Sequence, residues 1–188
     1  MRAKSILVGT FSVLLMGCIP SYNPYYLERD IVFDASLIGR WAEGQGTWNF
    51  ARHPEAPGYR LTITSAENQD GIFKATLFEL GGHRFLDLVP EDYDYPDGMS
   101  ELVFAALFPG HLVLHVAAIE PGLEVALFNP DRVAELIEEN PRSLSHRVEA
   151  DRILLTGKTR ELQRFLRRHV AEPGFFEDYS DMSRLPGT

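Results

Sequence analysis

The chain has 188 residues, of which 45% are hydrophobic, and its formal net charge is −9 at pH 7. This length and hydrophobic content suffice for a domain with its own core. The acidic balance disfavours nucleic acid as a partner, because nucleic-acid binding depends on Lys and Arg that neutralise phosphates. The single cysteine excludes an intramolecular disulfide and cysteine-based metal clusters.

Residues 1–17 have the pattern of a secretory signal peptide. A basic start precedes an apolar run over residues 6–16, which is shorter than the about 20 residues that a membrane-spanning helix needs. The run ends in a motif that resembles the lipobox of bacterial lipoproteins: Leu15, Met16, Gly17 and Cys18. The resemblance implies cleavage before Cys18, diacylglycerol on its thiol, a fatty acyl chain such as palmitate on its amine, and membrane anchoring.

Ile19, the residue after the cysteine, indicates the membrane to which the lipoprotein would be sorted. Lipoproteins of this kind that lack Asp at that position are sorted to the outer membrane of Gram-negative cells, so the resemblance implies its inner leaflet, facing the periplasm. Residues 18–34 are predicted to be a lipidated N-terminus and tether, since two prolines disfavour a helix. In an extended conformation, these residues would hold the domain up to about 50 Å from the membrane. Their tyrosines either lie among lipid headgroups or pack on the domain.

Residues 35–171 are predicted to form a single β-rich domain. The clearest element is a hairpin around Gly81-Gly82, because a Gly-Gly loop favours a two-residue turn. That turn places Glu79 opposite Arg84 and Thr76 opposite Asp87. One face of the hairpin is apolar and is assigned to the core. The other face carries Phe78, Phe85 and Asp87, so we expect water, a covering helix or a ligand there.

The second half of the chain contains both predicted helices. Turns at Pro109-Gly110 and Pro121-Gly122 predict a three-stranded meander over residues 101–128. Asn129-Pro130 predicts the start of a helix near residues 130–139, because Asn caps helices and Pro favours their first position. A short strand at residues 152–155 precedes a second helix near 158–170. Residues 172–188 are predicted to be a loose tail.

These elements predict a mainly β fold: an antiparallel β-barrel or strongly curved sheet of about seven or eight strands with two packed α-helices. Gly39-Arg40-Trp41 resembles the Gly-x-Trp motif that opens the first strand of lipocalins. The resemblance implies a barrel and a hydrophobic ligand. The helix near 130–139, which precedes the last predicted strand, departs from the lipocalin order.

Candidate ligand or partner contacts come from three regions. The face of the hairpin opposite the core face carries both polar and apolar residues, and we call it the mixed face. It supplies Phe78, Phe85 and Asp87, although Asp87 paired with Thr76 also fits a purely structural role. An acidic loop over residues 91–98 is rich in tyrosine, and the second helix is strongly basic, which suits an acidic partner or anionic headgroups. These two regions supply Tyr93, Tyr95, Arg164 and Arg168.

No metal site, cofactor or catalytic centre is predicted. His111 and His115 lie four residues apart on a predicted strand, about 13 Å, which is too far for one metal ion. The acidic loop lacks the spacing of an EF-hand. The sequence contains no motif of a serine hydrolase, a zinc protease or a phosphate-binding loop.

Three functions follow as hypotheses. The first is a lipid-anchored, periplasm-facing envelope protein with a non-catalytic role in partner binding or envelope structure. The second is a lipocalin-like carrier of a hydrophobic ligand, which requires an open apolar cavity. The third is an envelope hydrolase with a carboxylate pair, because separation in sequence does not report distance in space.

Overall fold

Eight antiparallel strands close into a barrel, and two α-helices pack on its outside, which confirms the predicted fold class. The computed structural model describes residues 18–91, 109–149 and 152–186. The strands are β1 (Gly39–Glu43), β2 (Gly46–Arg52), β3 (Tyr59–Thr64), β4 (Asp70–Leu80), β5 (His83–Pro90), β6 (Leu112–Ala118), β7 (Gly122–Leu127), β8 (His146–Glu149), β9 (Arg152–Leu155) and β10 (Ser180–Arg184). The helices are α1 (Pro130–Glu139) and α2 (Thr159–His169).

The barrel is a meander in which β1 to β7 are neighbours in chain order and β10 closes it between β7 and β1. The predicted register of the β4–β5 hairpin is confirmed, with Glu79 opposite Arg84 and Thr76 opposite Asp87. Gly81 and Gly82 have φ angles of 65° and 81°. A two-residue turn of this type needs positive φ at both positions, so the glycine pair determines the register.

The interior of the barrel is filled by its own side chains. Every barrel strand contributes buried residues to one cluster, and the predicted core face of the hairpin points into it. Eight-stranded barrels are just wide enough to be filled by side chains or to hold one small ligand. Here large rings occupy the interior, including Trp41, Phe50 and Tyr59, which are at most 1% exposed.

The outer face of β4 to β6 is covered by a second layer made of α1, α2 and the residues before β1. Phe78 and Phe85 are fully buried in this layer, with their rings stacked at 5.3 Å. They pack in one cluster with Phe165 of α2 and Val133 of α1. A covering helix is therefore the correct alternative for the mixed face of the hairpin, and neither phenylalanine is accessible to a partner.

Residues 19–34 do not extend as a tether, contrary to the prediction. Ile19, Ser21 and Tyr25 are buried. Ser21 exchanges two backbone hydrogen bonds with His111, of 2.9 and 3.0 Å, and the Tyr22 N–H donates to the Leu155 carbonyl. The physical reason is that this apolar, aromatic segment gains from burial and finds strand ends to pair with. The tyrosine that packs most deeply on the domain is Tyr25.

The prediction of a loose tail is wrong for residues 180–184, which form the closing strand β10. Met182 points into the barrel and is fully buried, whereas the other side chains of β10 are partly or fully exposed. The Arg184 guanidinium lies 4.2 Å from the centre of the Trp41 ring and donates to the Ile38 carbonyl. Gly39, with φ 129°, leaves room for that guanidinium, so the Gly-x-Trp motif serves barrel closure.

The predicted strand at 152–155 is confirmed as β9, but it pairs with β8 in a two-stranded sheet outside the barrel. Helix α1 has its predicted bounds, and the Asn129 side chain accepts from the backbone N–H groups of Asp131 and Arg132. The first strand of the predicted meander, over 101–108, lies outside the described residues. Among the residues that are described, no helix is long and apolar enough to cross a membrane.

We expect Met182→Ala to destabilise the barrel by about 2–5 kcal/mol, because it removes a buried side chain from the closing strand. The matched control is Ser183→Ala, at an exposed neighbour, which we expect to change stability by less than about 0.5 kcal/mol. The measurement is the free energy of unfolding in urea. Equal stabilities of the two variants would mean that β10 does not close the barrel.

Candidate functional site

An open apolar groove lies outside the barrel, between α1 and the β8–β9 sheet. Its volume is about 350 Å³. It is lined by Ala134, Ile137, Glu138, Pro141, His146, Val148 and Ile153. We call this set the apolar groove.

Local sequence explains how these residues meet. Helix α1 ends at Glu139, and Pro141 follows Asn140 where a helix cannot continue, so the chain turns back toward β8. Side chains alternate across a strand, so His146 and Val148 lie on the same face of β8. Val148 is 60% exposed, the highest value among the large hydrophobic side chains that the structure describes.

A second pocket, of about 270 Å³, includes in its lining the two residues on either side of Pro141, which itself lines the apolar groove. It is lined by Asn140, Arg142, Ser143, Arg164, Phe165 and Arg168, and we call it the arginine pocket. Arg164 and Arg168 lie one helical turn apart on α2, so they share a face. Sequence reasoning identified these two arginines but missed Arg142, because a lone arginine after a helix carries no signal of what it will face.

The arginine pocket is unbalanced in charge. Within the described ranges, none of its three guanidinium groups forms an ion pair with a carboxylate. Of the acids nearest in sequence, Glu161 accepts from the Ser145 backbone N–H, Glu139 lies 3.9 Å from Arg132, and Glu138 lines the apolar groove. The Ser143 hydroxyl oxygen is buried and has no hydrogen-bond partner among the described groups.

Asp87 pairs with His111 rather than with Thr76, which corrects the predicted partner. The Asp87 carboxylate is 1% exposed and lies 2.7 Å from the His111 Nδ1 atom, while the Thr76 hydroxyl contacts the hydroxyl of Tyr26. Burial raises the pKa of Asp87, and the hydrogen bond from His111 opposes that shift. This pair lies where the Ser21 backbone joins β6, so its role is structural and it is closed to a partner.

A second histidine cluster lies at the edge of the covering layer. His115 Nδ1 is 2.7 Å from the Tyr179 hydroxyl, and His115 Nε2 is 3.3 Å from His83 Nδ1. The His115 ring also stacks on Phe176 at 4.9 Å between ring centres. Burial, followed by the proximity of His83, lowers the pKa of His115 to about 4. Both predicted strand histidines thus have polar partners.

The remaining candidates divide between the surface and the residues that are not described. Cys18 is exposed at the surface. Neighbouring residues that displace water from its thiol raise the pKa of that group. The lipobox residues Leu15, Met16 and Gly17 lie outside the described ranges, as do Tyr93 and Tyr95 of the acidic loop. Over residues 18–91, 109–149 and 152–186, no group of three His, Cys, Asp or Glu side chains is arranged to hold a metal ion.

The apolar groove and the arginine pocket differ in the chemistry of their linings. The groove contains two titratable side chains, Glu138 and His146, and within the described structure they do not hydrogen-bond each other. The His146 Nδ1 atom instead lies 2.8 Å from the Leu144 carbonyl oxygen. The arginine pocket offers donors and positive charge, which suit an anion.

The chain matches no protein-family model, no curated protein and no solved structure.

We expect His115 to make the protein less stable as pH falls from about 6.5 to about 4. An unfolded histidine takes up a proton near pH 6.5, whereas the folded ring stays neutral down to about pH 4. The unfolded state therefore binds more protons in this window, and stability is lost as pH falls through it. The measurement is the free energy of unfolding at pH 7 and pH 4.5.

His115→Phe should lose less stability than the wild type over that interval. His146→Phe is the control, because His146 lies outside the His115 cluster. The same pH dependence in the wild type and in His115→Phe would contradict the assignment.

Proposed function

We propose that this protein is a lipid-anchored envelope protein that binds an extended segment of a protein partner along β8, with an apolar side chain of the partner in the apolar groove. The observation that carries the proposal is a contrast between two surfaces. The barrel interior is filled, whereas the groove outside it is open and its Val148 is 60% exposed. Exposed apolar surface of this kind is typical of partner-binding sites.

The membrane anchor rests on Leu15-Met16-Gly17-Cys18 and on the position of Cys18. Cys18 is exposed directly before the buried Ile19. Three acyl chains on this residue would give lasting attachment, because two such signals already suffice. With residues 19–34 packed on the barrel, the anchor would hold the domain at the membrane surface instead of about 50 Å away. Ile19 after the cysteine favours the periplasmic face of an outer membrane.

An extended segment is the form of partner that suits a groove beside a two-stranded sheet. The strands β8 and β9 pair with each other, and Leu155 of β9 also pairs with Ser21. A peptide can join a sheet as a further strand, and a pocket beside the sheet then selects the side chain. The apolar groove, with His146 and Val148 of β8 in its lining, supplies that pocket.

The other two hypotheses have less support. A lipocalin-like carrier needs an interior cavity, and here Trp41, Phe50 and Tyr59 occupy that space. An envelope hydrolase needs converging acid and base groups in a cleft. The arginine pocket has no carboxylate in its lining, and the apolar groove has one, Glu138, which forms no hydrogen bond with His146 in the described structure.

Cys18→Ser should abolish acyl incorporation and release the protein from membranes, because no other cysteine can take its place. The measurement is membrane fractionation together with mass spectrometry of the N-terminal peptide. Tyr22→Ser is the matched control, since it introduces the same residue at an exposed position nearby, and it should stay acylated and membrane-bound. A Cys18→Ser protein that remains with the membrane would overturn the anchor.

A photo-crosslinking amino acid at position 148 should yield one discrete crosslinked species in cells, because Val148 lines the groove and is exposed. Position 33 is the control, since Phe33 is also large and exposed, at 41%, but lies against Tyr59. We expect no such species from position 33. Absence of a crosslink at position 148, or the same species from both positions, would contradict partner binding at the groove.

A further inference from the structure

We infer that the arginine pocket binds a phosphate-type oxyanion, either a soluble phosphoester or the phosphate of a lipid headgroup. This inference is independent of the partner proposed for the apolar groove. It rests on the positions of three arginines and on one buried hydroxyl.

The arginines reach the pocket from two separate elements. Arg142 comes from the loop after α1, whereas Arg164 and Arg168 project from α2. All three arginines are exposed, and an anion placed among their like charges would be attracted by each of them. The chain has 27 acidic residues against 18 Lys and Arg, yet no carboxylate lines the pocket. An anion from outside the chain would supply the missing charge.

One polar group at the wall of the pocket also lacks a partner in the described structure. The Ser143 hydroxyl oxygen is buried and makes no hydrogen bond with any described group. An unsatisfied buried hydroxyl is destabilising, and an oxyanion in the pocket would accept its hydrogen bond. Asn140 adds a side-chain amide to the lining, which supplies further donors. These neutral donors add to the three charged ones.

The number of donors favours phosphate over a carboxylate. Each guanidinium presents a planar set of N–H donors that matches two oxygens at once. A carboxylate presents its two oxygens in one plane, whereas the oxygens of a phosphate group are arranged tetrahedrally and can meet guanidinium groups from several directions. A volume of about 270 Å³ is just below the range typical of whole drug-sized ligands, which suits a headgroup or small phosphoester.

The basic character of α2 alone does not account for the pocket. Arg160 and Arg167 are exposed on the same helix but do not line it. The Arg167 side chain instead lies beside Gly81 in the β4–β5 turn. These two arginines therefore provide a control with the same loss of charge on the same helix.

The test titrates inorganic phosphate into the Cys18→Ser protein by calorimetry in a chloride buffer, and measures co-sedimentation with phosphatidylglycerol vesicles against phosphatidylcholine vesicles. The variants are Arg164→Gln with Arg168→Gln, and the control pair Arg160→Gln with Arg167→Gln. Equal thermal stabilities in chloride establish that both pairs fold. Substitution at Cys18 removes the acyl anchor, so vesicle binding reports the pocket.

We expect saturable binding that weakens at least about tenfold in the pocket pair and less than about twofold in the control pair. Binding of free phosphate would identify a soluble source. Binding only to phosphatidylglycerol vesicles, lost in the pocket pair, would identify a lipid headgroup. The inference is overturned if neither ligand binds with phosphate up to about 10 mM, or if both pairs lose affinity equally, because the effect would then be general charge attraction.

Discussion

The burial of Phe78, Phe85 and Val113 on the outer face of the barrel is the constraint from which the rest of the architecture follows. Each of these side chains points away from a core that is already full. Leaving a large apolar side chain in water forgoes about 1.5–3 kcal/mol. The barrel therefore cannot stand alone with this face open, and it requires a second layer over β4 to β6.

The need for this second layer explains the order of the strands and helices along the chain. The barrel is a simple meander through β7, and its eighth strand comes only after α1, the β8–β9 sheet and α2. The inserted residues supply the cover, and the residues before β1 fill its remaining gap. Gln163 of α2 joins the two parts, since its side-chain amide donates to the Tyr25 carbonyl and to Asp30. The apolar groove and the arginine pocket lie at the margin of this layer, where its apolar packing ends.

Local patterns predicted the local structure. Gly81-Gly82 determined the hairpin register, and Asn129-Pro130 determined the start of α1, because both act over a few residues through backbone geometry. The strand β10 was missed because Met182 is its only apolar and buried residue, so its sequence shows no apolar alternation. Its formation depends on two distant strands that offer hydrogen bonds on both sides.

The candidate site was predictable only in part, for the same reason. Arg164 and Arg168 follow from helical spacing, but Arg142 joins them through the packing of α1 on α2. Asp87 was assigned its partner from strand register, whereas its actual partner, His111, lies on the next strand. Contacts across elements depend on tertiary packing, which no short motif encodes.

The double pairing of Ser21 has a mechanical consequence. Ser21 is hydrogen-bonded to His111 at the start of β6 and is paired with Leu155 of β9. A force applied at Cys18 would therefore be shared between the barrel and the covering layer. Because these backbone hydrogen bonds run perpendicular to the segment, a pull along the segment would load several of them together instead of breaking them one at a time.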